Sequence, residues 1–193
     1  MPKRSLAVLS AFLSIALPAL ADTVQYDEES RAVAQELTRQ MGGEMRKALE
    51  AGGLQAAIDV CRNVEPEIAS RVSVERGWKV TRVATRVRNP LLGTPDAWEQ
   101  GTLAQFEKRL RAGEEPGTIE FSQIVDEPYG RSYRYMKAII VQPGCLACHG
   151  APSDMSDDVK ATLARLYPHD RATGYRAGEL RGAVSIKRPL DGR

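Results

Sequence analysis

The chain has 193 residues, with 27 basic and 25 acidic side chains, which gives room for one domain with a real core and falls short of two. Residues 1–21 hold two bases, Lys3 and Arg4, and no acid, so the remainder carries 25 of each sign. A balanced chain has no global field to draw nucleic acid or anionic lipid, and bulk charge excludes both as partners.

Lys3 and Arg4 precede an apolar run over residues 6–20, and Ala19-Leu20-Ala21 supplies a small-x-small cleavage pattern. This order reads as a cleaved secretory signal over residues 1–21. The run is shorter than the roughly 20 residues a membrane span needs, and no later segment is more apolar. The expected product is a soluble periplasmic domain over residues 22–193 with no membrane span.

A long helix is expected over residues 27–49. Glu28 and Glu29 suit its first turn, and Ala32, Val33, Leu37, Met41 and Met45 recur at helical spacing. Gly42-Gly43 weaken its middle and mark a bend; Gly52-Gly53 end it. A second helix over residues 54–62 places Leu54, Ala57, Ile58 and Cys61 on one apolar face. Asn63 and Pro66 break it and start a third, reaching residue 74. Strand-like alternation begins near Trp78 and stops at Asn89-Pro90. Asp96 caps a helix over residues 97–112. Strands follow over residues 118–125, 133–141 and 183–187, with a short helix over 157–166. Helices first, then strands interleaved with helices, give an α+β domain with a largely antiparallel sheet.

The chemistry concentrates at Cys145-Leu146-Ala147-Cys148-His149. Cys-x-x-Cys-His is a haem-attachment pattern: two thiols add across two porphyrin vinyl groups, and the adjacent imidazole lies under the iron. An apolar strand ends just before it, Pro143-Gly144 turn the chain, and Gly150 leaves room beside the ring. Other readings compete. A redox-active disulfide favours an early strand-to-helix junction, whereas this pair lies late. A structural disulfide leaves His149 idle. Zinc finds a valid four-ligand set in Cys61, Cys145, Cys148 and His149, and spacing alone leaves it open. Export favours covalent haem c over all three, because such haem is attached outside the cytoplasm.

The second axial ligand sets much of the chemistry of such a centre. Candidates are Cys61, His169, Met41, Met45, Met136 and Met155. Cys61 is the odd thiol, faces inward and precedes a helix break, where backbone donors favour a thiolate. It reads equally as a small buried hydrophobe. His169 sits in a polar turn, Tyr167-Pro168-His169-Asp170, that suits solvent. Arg82, Arg86 and Arg88 are candidates to pair with haem propionates, Arg88 first, since arginine binds carboxylates bidentately; a solvated strand face competes with that reading.

Several segments in order resemble a known family: Ala57-Ile58-Asp59-Val60-Cys61 with Glu67-Ile68-Ala69 behind it, Arg88-Asn89-Pro90 followed by Pro95-Asp96-Ala97-Trp98-Glu99, the site at 145–149, and Gly174-Tyr175 with Gly178-Glu179-Leu180-Arg181-Gly182-Ala183. Together they resemble the single-haem c-type family with a PAS-like fold, found alone or as sensor domains of signalling proteins. Leu91-Leu92-Gly93 is more apolar than that family's usual loop. The resemblance implies an antiparallel PAS-like sheet with N-terminal helices packed on it, and a His/Cys iron pair, His149 and Cys61. The function expected from it is redox or gas sensing with a separate signalling partner; low-potential electron transfer is the alternative, and a zinc-stabilised module a third. A peroxidase-like enzyme needs a distal acid–base residue, and two histidines, one of them bound, supply no candidate.

Overall fold

The computed structural model of the chain describes residues 16–191, with side chains from residue 22 onward. Most of the expected export signal, residues 1–15, lies outside the described residues. Helix α1 (Ala16–Asp59) keeps helical backbone angles through Gly42-Gly43, where a bend was expected, and breaks at Gly52 and Gly53. Gly53 sits at φ 65°, a conformation glycine reaches without a Cβ clash. The last helical turns lead into a π-helical turn (Val60–Val64) and then α2 (Glu65–Arg76). The break expected at Asn63 and Pro66 is therefore a register change rather than an end. Pro66 falls in the first turn of α2, where its missing N–H leaves no helix bond unmade.

Strand β1 (Lys79–Val83) follows, then the short helix α3 (Pro90–Gly93), to which the Asn89 side chain contributes a cap. Helix α4 (Ala97–Arg111) starts at a capping box in which Asp96 accepts from the Glu99 N–H and Glu99 accepts from the Asp96 N–H. Strands β2 (Glu120–Glu127) and β3 (Gly130–Ile140) form a hairpin, and the chain then passes through α5 (Leu146–His149) and α6 (Asp157–Leu166) before closing on β4 (Leu180–Pro189). All neighbours in the sheet are antiparallel, in the order β1-β4-β3-β2. The α+β fold with N-terminal helices on the sheet is the one expected from the sequence.

The sheet is covered on both faces. Val33, Ala34, Leu37 and Met41 of α1 join Ile68 and Val72 of α2 against Val80, Tyr133, Tyr135, Val184 and Ile186. Leu103 and Phe106 of α4 close the other face on Val83, Met136 and Ala183. Beneath α4 the buried Arg134 guanidinium reaches Asp96 at 2.7 Å and Glu99 at 3.3 Å, and Ser185 donates to Glu99 at 2.6 Å. These bonds fix α4 against the sheet. Among the described residues no helix is long and apolar enough to cross a membrane.

One surface cluster ties α1 to the sheet edge. Burial alone raises the Glu120 carboxyl, but hydrogen bonds from Arg31, Tyr135 and Lys137 outweigh it and hold the group at about 2. A carboxylate depressed in the fold stabilises it above the unfolded value, and that contribution is lost as pH falls toward 2. Acid titration of Glu120→Gln should therefore show a flatter stability loss below about pH 4.5 than the parent chain; parallel acid limbs would show that the cluster does not set acid stability.

Candidate functional site

The Cys-x-x-Cys-His segment leaves the end of β3 through a tight turn (Pro143–Cys145) and forms the single helical turn of α5. The turn brings both thiols and the imidazole to one side, where all three line a cavity of about 830 Å³, well inside the range of small-molecule and cofactor sites. The opposite wall is the C-terminal part of α1, the π turn and α2, including Leu54, Ala57, Ile58 and Cys61. The floor is the sheet, through Val80, Arg82, Ile139 and Gly182. Cys61, Arg88, Cys145, Cys148 and His149, five candidates scattered over 89 residues of sequence, thus line one space.

The tautomer of His149 follows from its partner. Nδ1 lies 2.6 Å from the Ala172 carbonyl oxygen, which can only accept, so Nδ1 carries the proton and Nε2 is left with a lone pair. Burial, then the nearby Arg88 and Arg181 charges, push the imidazole down to about 2, so it is neutral across ordinary pH. A neutral ring with its far nitrogen anchored to a carbonyl is the usual arrangement of a metal-binding histidine. Tyr175 packs edge-on against the ring at 6.3 Å between centroids.

Cys61 sits in the π turn, half-buried. Its thiol is pushed up to about 11, by burial first and then by the Glu65 carboxylate, with Arg82 and Arg88 opposing. The thiolate expected from a helix end is therefore not favoured in the metal-free chain, because the helix continues and the dominant effect is desolvation. Ligation to a metal would have to displace the proton. Burial likewise raises the Cys148 thiol.

Arg88 lines the cavity, and two of its three nitrogens are bonded to the chain around it. Nε donates to Asp170 Oδ2 at 2.9 Å, and one terminal nitrogen donates to the Cys148 carbonyl. Two of its nitrogens thus brace the Cys-x-x-Cys-His turn. Arg86 is not in the cavity lining; it lies over the Tyr175 ring, 3.5 Å from its centroid, and pairs with Glu179 at 3.1 Å. Among the other axial candidates His169 is exposed, and Met136 and Met155 lie in core clusters. Met41 and Met45 do reach the cavity wall.

The three cysteines are free thiols. Among the described residues no three His, Cys, Asp or Glu side chains gather tightly enough to hold a metal ion, so the four donors weighed for zinc stand around a space instead of converging on a point. The residues sequence reasoning missed are those that hold this arrangement. Asp170 accepts from Arg88 and, at 2.7 Å, from the Ala172 N–H. Tyr167, from the turn read as solvated, is buried and lines the cavity. Gly174-Tyr175 and Arg181 stood among the family-like segments, but nothing local signalled their roles.

A family model described as Tll0287-like matches residues 20–189. The chain belongs to the Tll0287-like family. Among solved structures it is similar to the cyanobacterial heme-protein Tll0287, with 25% sequence identity and a TM-score of 0.68 over 88% of this chain and 98% of that one. No curated protein matches it. The Tll0287-like match spans both walls of the cavity and bears out the family and the PAS-like fold expected from the sequence.

Proposed function

We propose that this chain is an exported haem protein, with haem c attached through Cys145 and Cys148 and its iron held by His149 and Cys61, and that it acts as a redox or gas sensor module. The observation that carries this reading is the shared cavity: the attachment turn forms one wall and Cys61 the other, with His149 Nε2 left free by the Ala172 bond. The likeness to a heme-protein supports it. So does the fit of the residues: a cavity of suitable size, donors around a space, and a buried guanidinium nitrogen, Arg82 Nε, with no hydrogen-bond partner.

Bound haem would supply a redox-active iron with two axial positions. The protein does the rest. Arg88 and Asp170 hold the attachment turn, Ala172 fixes the His149 tautomer, and the apolar wall of Leu54, Ala57 and Ile58 excludes water. Cys61 stands on a π turn joining two helices, a place where one extra residue is accommodated and function is often sited. Gain or loss of that ligand would shift α1 against α2, which is the two-state element a sensor needs. Met41 and Met45, on the same wall, are the protein groups placed to replace it. An electron carrier keeps both ligands in both oxidation states; a sensor changes one.

The direct test is expression in cells that export and attach c-type haem. The mature protein should begin at Asp22, and its denatured form should give a pyridine haemochrome spectrum typical of two thioether bonds. Cys145→Ala with Cys148→Ala should abolish the pigment that survives denaturation and acid–acetone extraction. A colourless wild type, or bridged sulfurs at 145 and 148, would falsify the proposal.

A further inference from the structure

Three arginines stand on the sheet-side and turn-side walls of the cavity: Arg82, Arg88 and Arg181. Two carboxylates answer them. Glu65 pairs with Arg82 at 2.5 Å, and Asp170 pairs with Arg88 at 2.9 Å. Arg181 has neither. Its side chain donates to the Arg86 carbonyl oxygen at 3.2 Å and bonds Tyr175, and the Glu65 carboxylate that acts on its charge is already paired with Arg82. Three guanidinium charges thus share two carboxylates, and the one in excess is unfavourable in a largely apolar cavity until an anion arrives. Arg82 adds a second opening, because its Nε is buried and unpartnered although its terminal nitrogen is paired.

The backbone is arranged to place Arg181 there. Ile139 pairs with Gly182 and Ile140 with Leu180, so Arg181 is the extra residue of a β-bulge in β4. A bulge re-aims one side chain out of the alternating pattern. The next residue has to be glycine: a Cβ on Gly182 would lie 2.3 Å from the Val83 carbonyl oxygen of β1. Leu180 and Ala183 keep the α4 face packed on either side of the bulge.

We propose that Arg181, assisted by the free Nε of Arg82, is the carboxylate-binding site of this cavity and receives a haem propionate, while Arg88 does not. The assignment rests on the haem reading above. A guanidinium fork matches a carboxylate bidentately, and a propionate would supply the missing negative charge.

The test uses the haem-loaded protein, with carbon-13 placed at the haem propionate carboxyls, and redox-difference infrared spectra. Arg181→Gln should shift the label-sensitive carboxylate bands and lower the midpoint potential, since a lost cation favours the ferric state. Arg181→Lys, which keeps the charge, should shift the bands with a smaller change in potential, and it serves as the readout if the glutamine variant does not fold. Arg86→Gln, outside the cavity, should leave the bands in place. Bands unmoved in both Arg181 variants, or moved by Arg88→Gln alone, overturn the assignment while the haem stays attached. Wild type that carries no covalent haem overturns the reading beneath it instead, and the two failures are distinguished by colour.

Discussion

Replacing Cys61 with alanine should turn a low-spin ferric spectrum of the haem-loaded protein into a high-spin one and raise its midpoint potential. The expectation follows from where the thiol stands. Cys61 is on the wall opposite His149, on the same inward face as Ala57 and Ile58, which are 3% and 2% exposed. It is held there by the π turn that joins α1 to α2. A thiolate donates electron density and favours the ferric state, so its loss moves the potential upward. The substitution removes one sulfur from a half-buried position and should leave the helical circular dichroism unchanged. The measurement pairs ferric electron paramagnetic resonance with redox titration of the two proteins. The same low-spin signal and the same thiolate charge-transfer bands in both would take Cys61 off the iron and return it to the status of a small core residue. A new low-spin signal without those bands would point to Met41 or Met45 as the replacement, and Cys61→Ala,Met45→Leu would show which.

The sequence displayed its elements best where one local device sets each boundary. The helix expected over residues 157–166 matches Asp157–Leu166 at both ends, because Ser156 caps it and Val159 and Leu163 mark its buried side. Asp96 and Glu99 mark the start of α4 in the same way. The strands, whose ends depend on partners rather than caps, differ more: the last three by up to three residues at an end, and β1 stops at Val83, well short of the Asn89-Pro90 stop. The continuous passage from α1 to α2 was hidden because Asn63 and Pro66 look like a stop. A π turn absorbs the misfit, and no composition rule announces one. For the site, the Cys-x-x-Cys-His segment is legible because its chemistry is packed into five residues. Its supports were not. Arg88 is 82 positions from Asp170, and Arg181 owes its direction to a one-residue shift between β3 and β4. Such contacts depend on tertiary register, which sequence periodicity does not carry.

The pair beside the Cys-x-x-Cys-His turn shows how fold and site depend on each other. Arg88 and Asp170 side chains are 9% and 10% exposed, and they join the segment after β1 to the segment after α6. Asp170 also orders the loop that carries the Ala172 carbonyl, and that carbonyl fixes His149. Arg88 in turn holds the Cys148 carbonyl. Asp170→Ala leaves a buried guanidinium without its anion, a change that costs about 3–5 kcal/mol in buried pairs of this kind. Denaturant unfolding of the metal-free chain should show a loss of that order. Asp170→Asn keeps the acceptor oxygen and the loop shape, so it should lose less stability. The two variants also separate bracing from packing. If Arg88 and Asp170 serve the turn, covalent haem yield per folded protein should fall in Asp170→Ala more than in an equally destabilised core variant such as Leu103→Ala, whose buried site lies on the α4 face away from the cavity. Equal yields at equal stability would reduce the pair to a fastening between two loops. Unequal yields would mean that the turn must be held in shape before the thiols can be used.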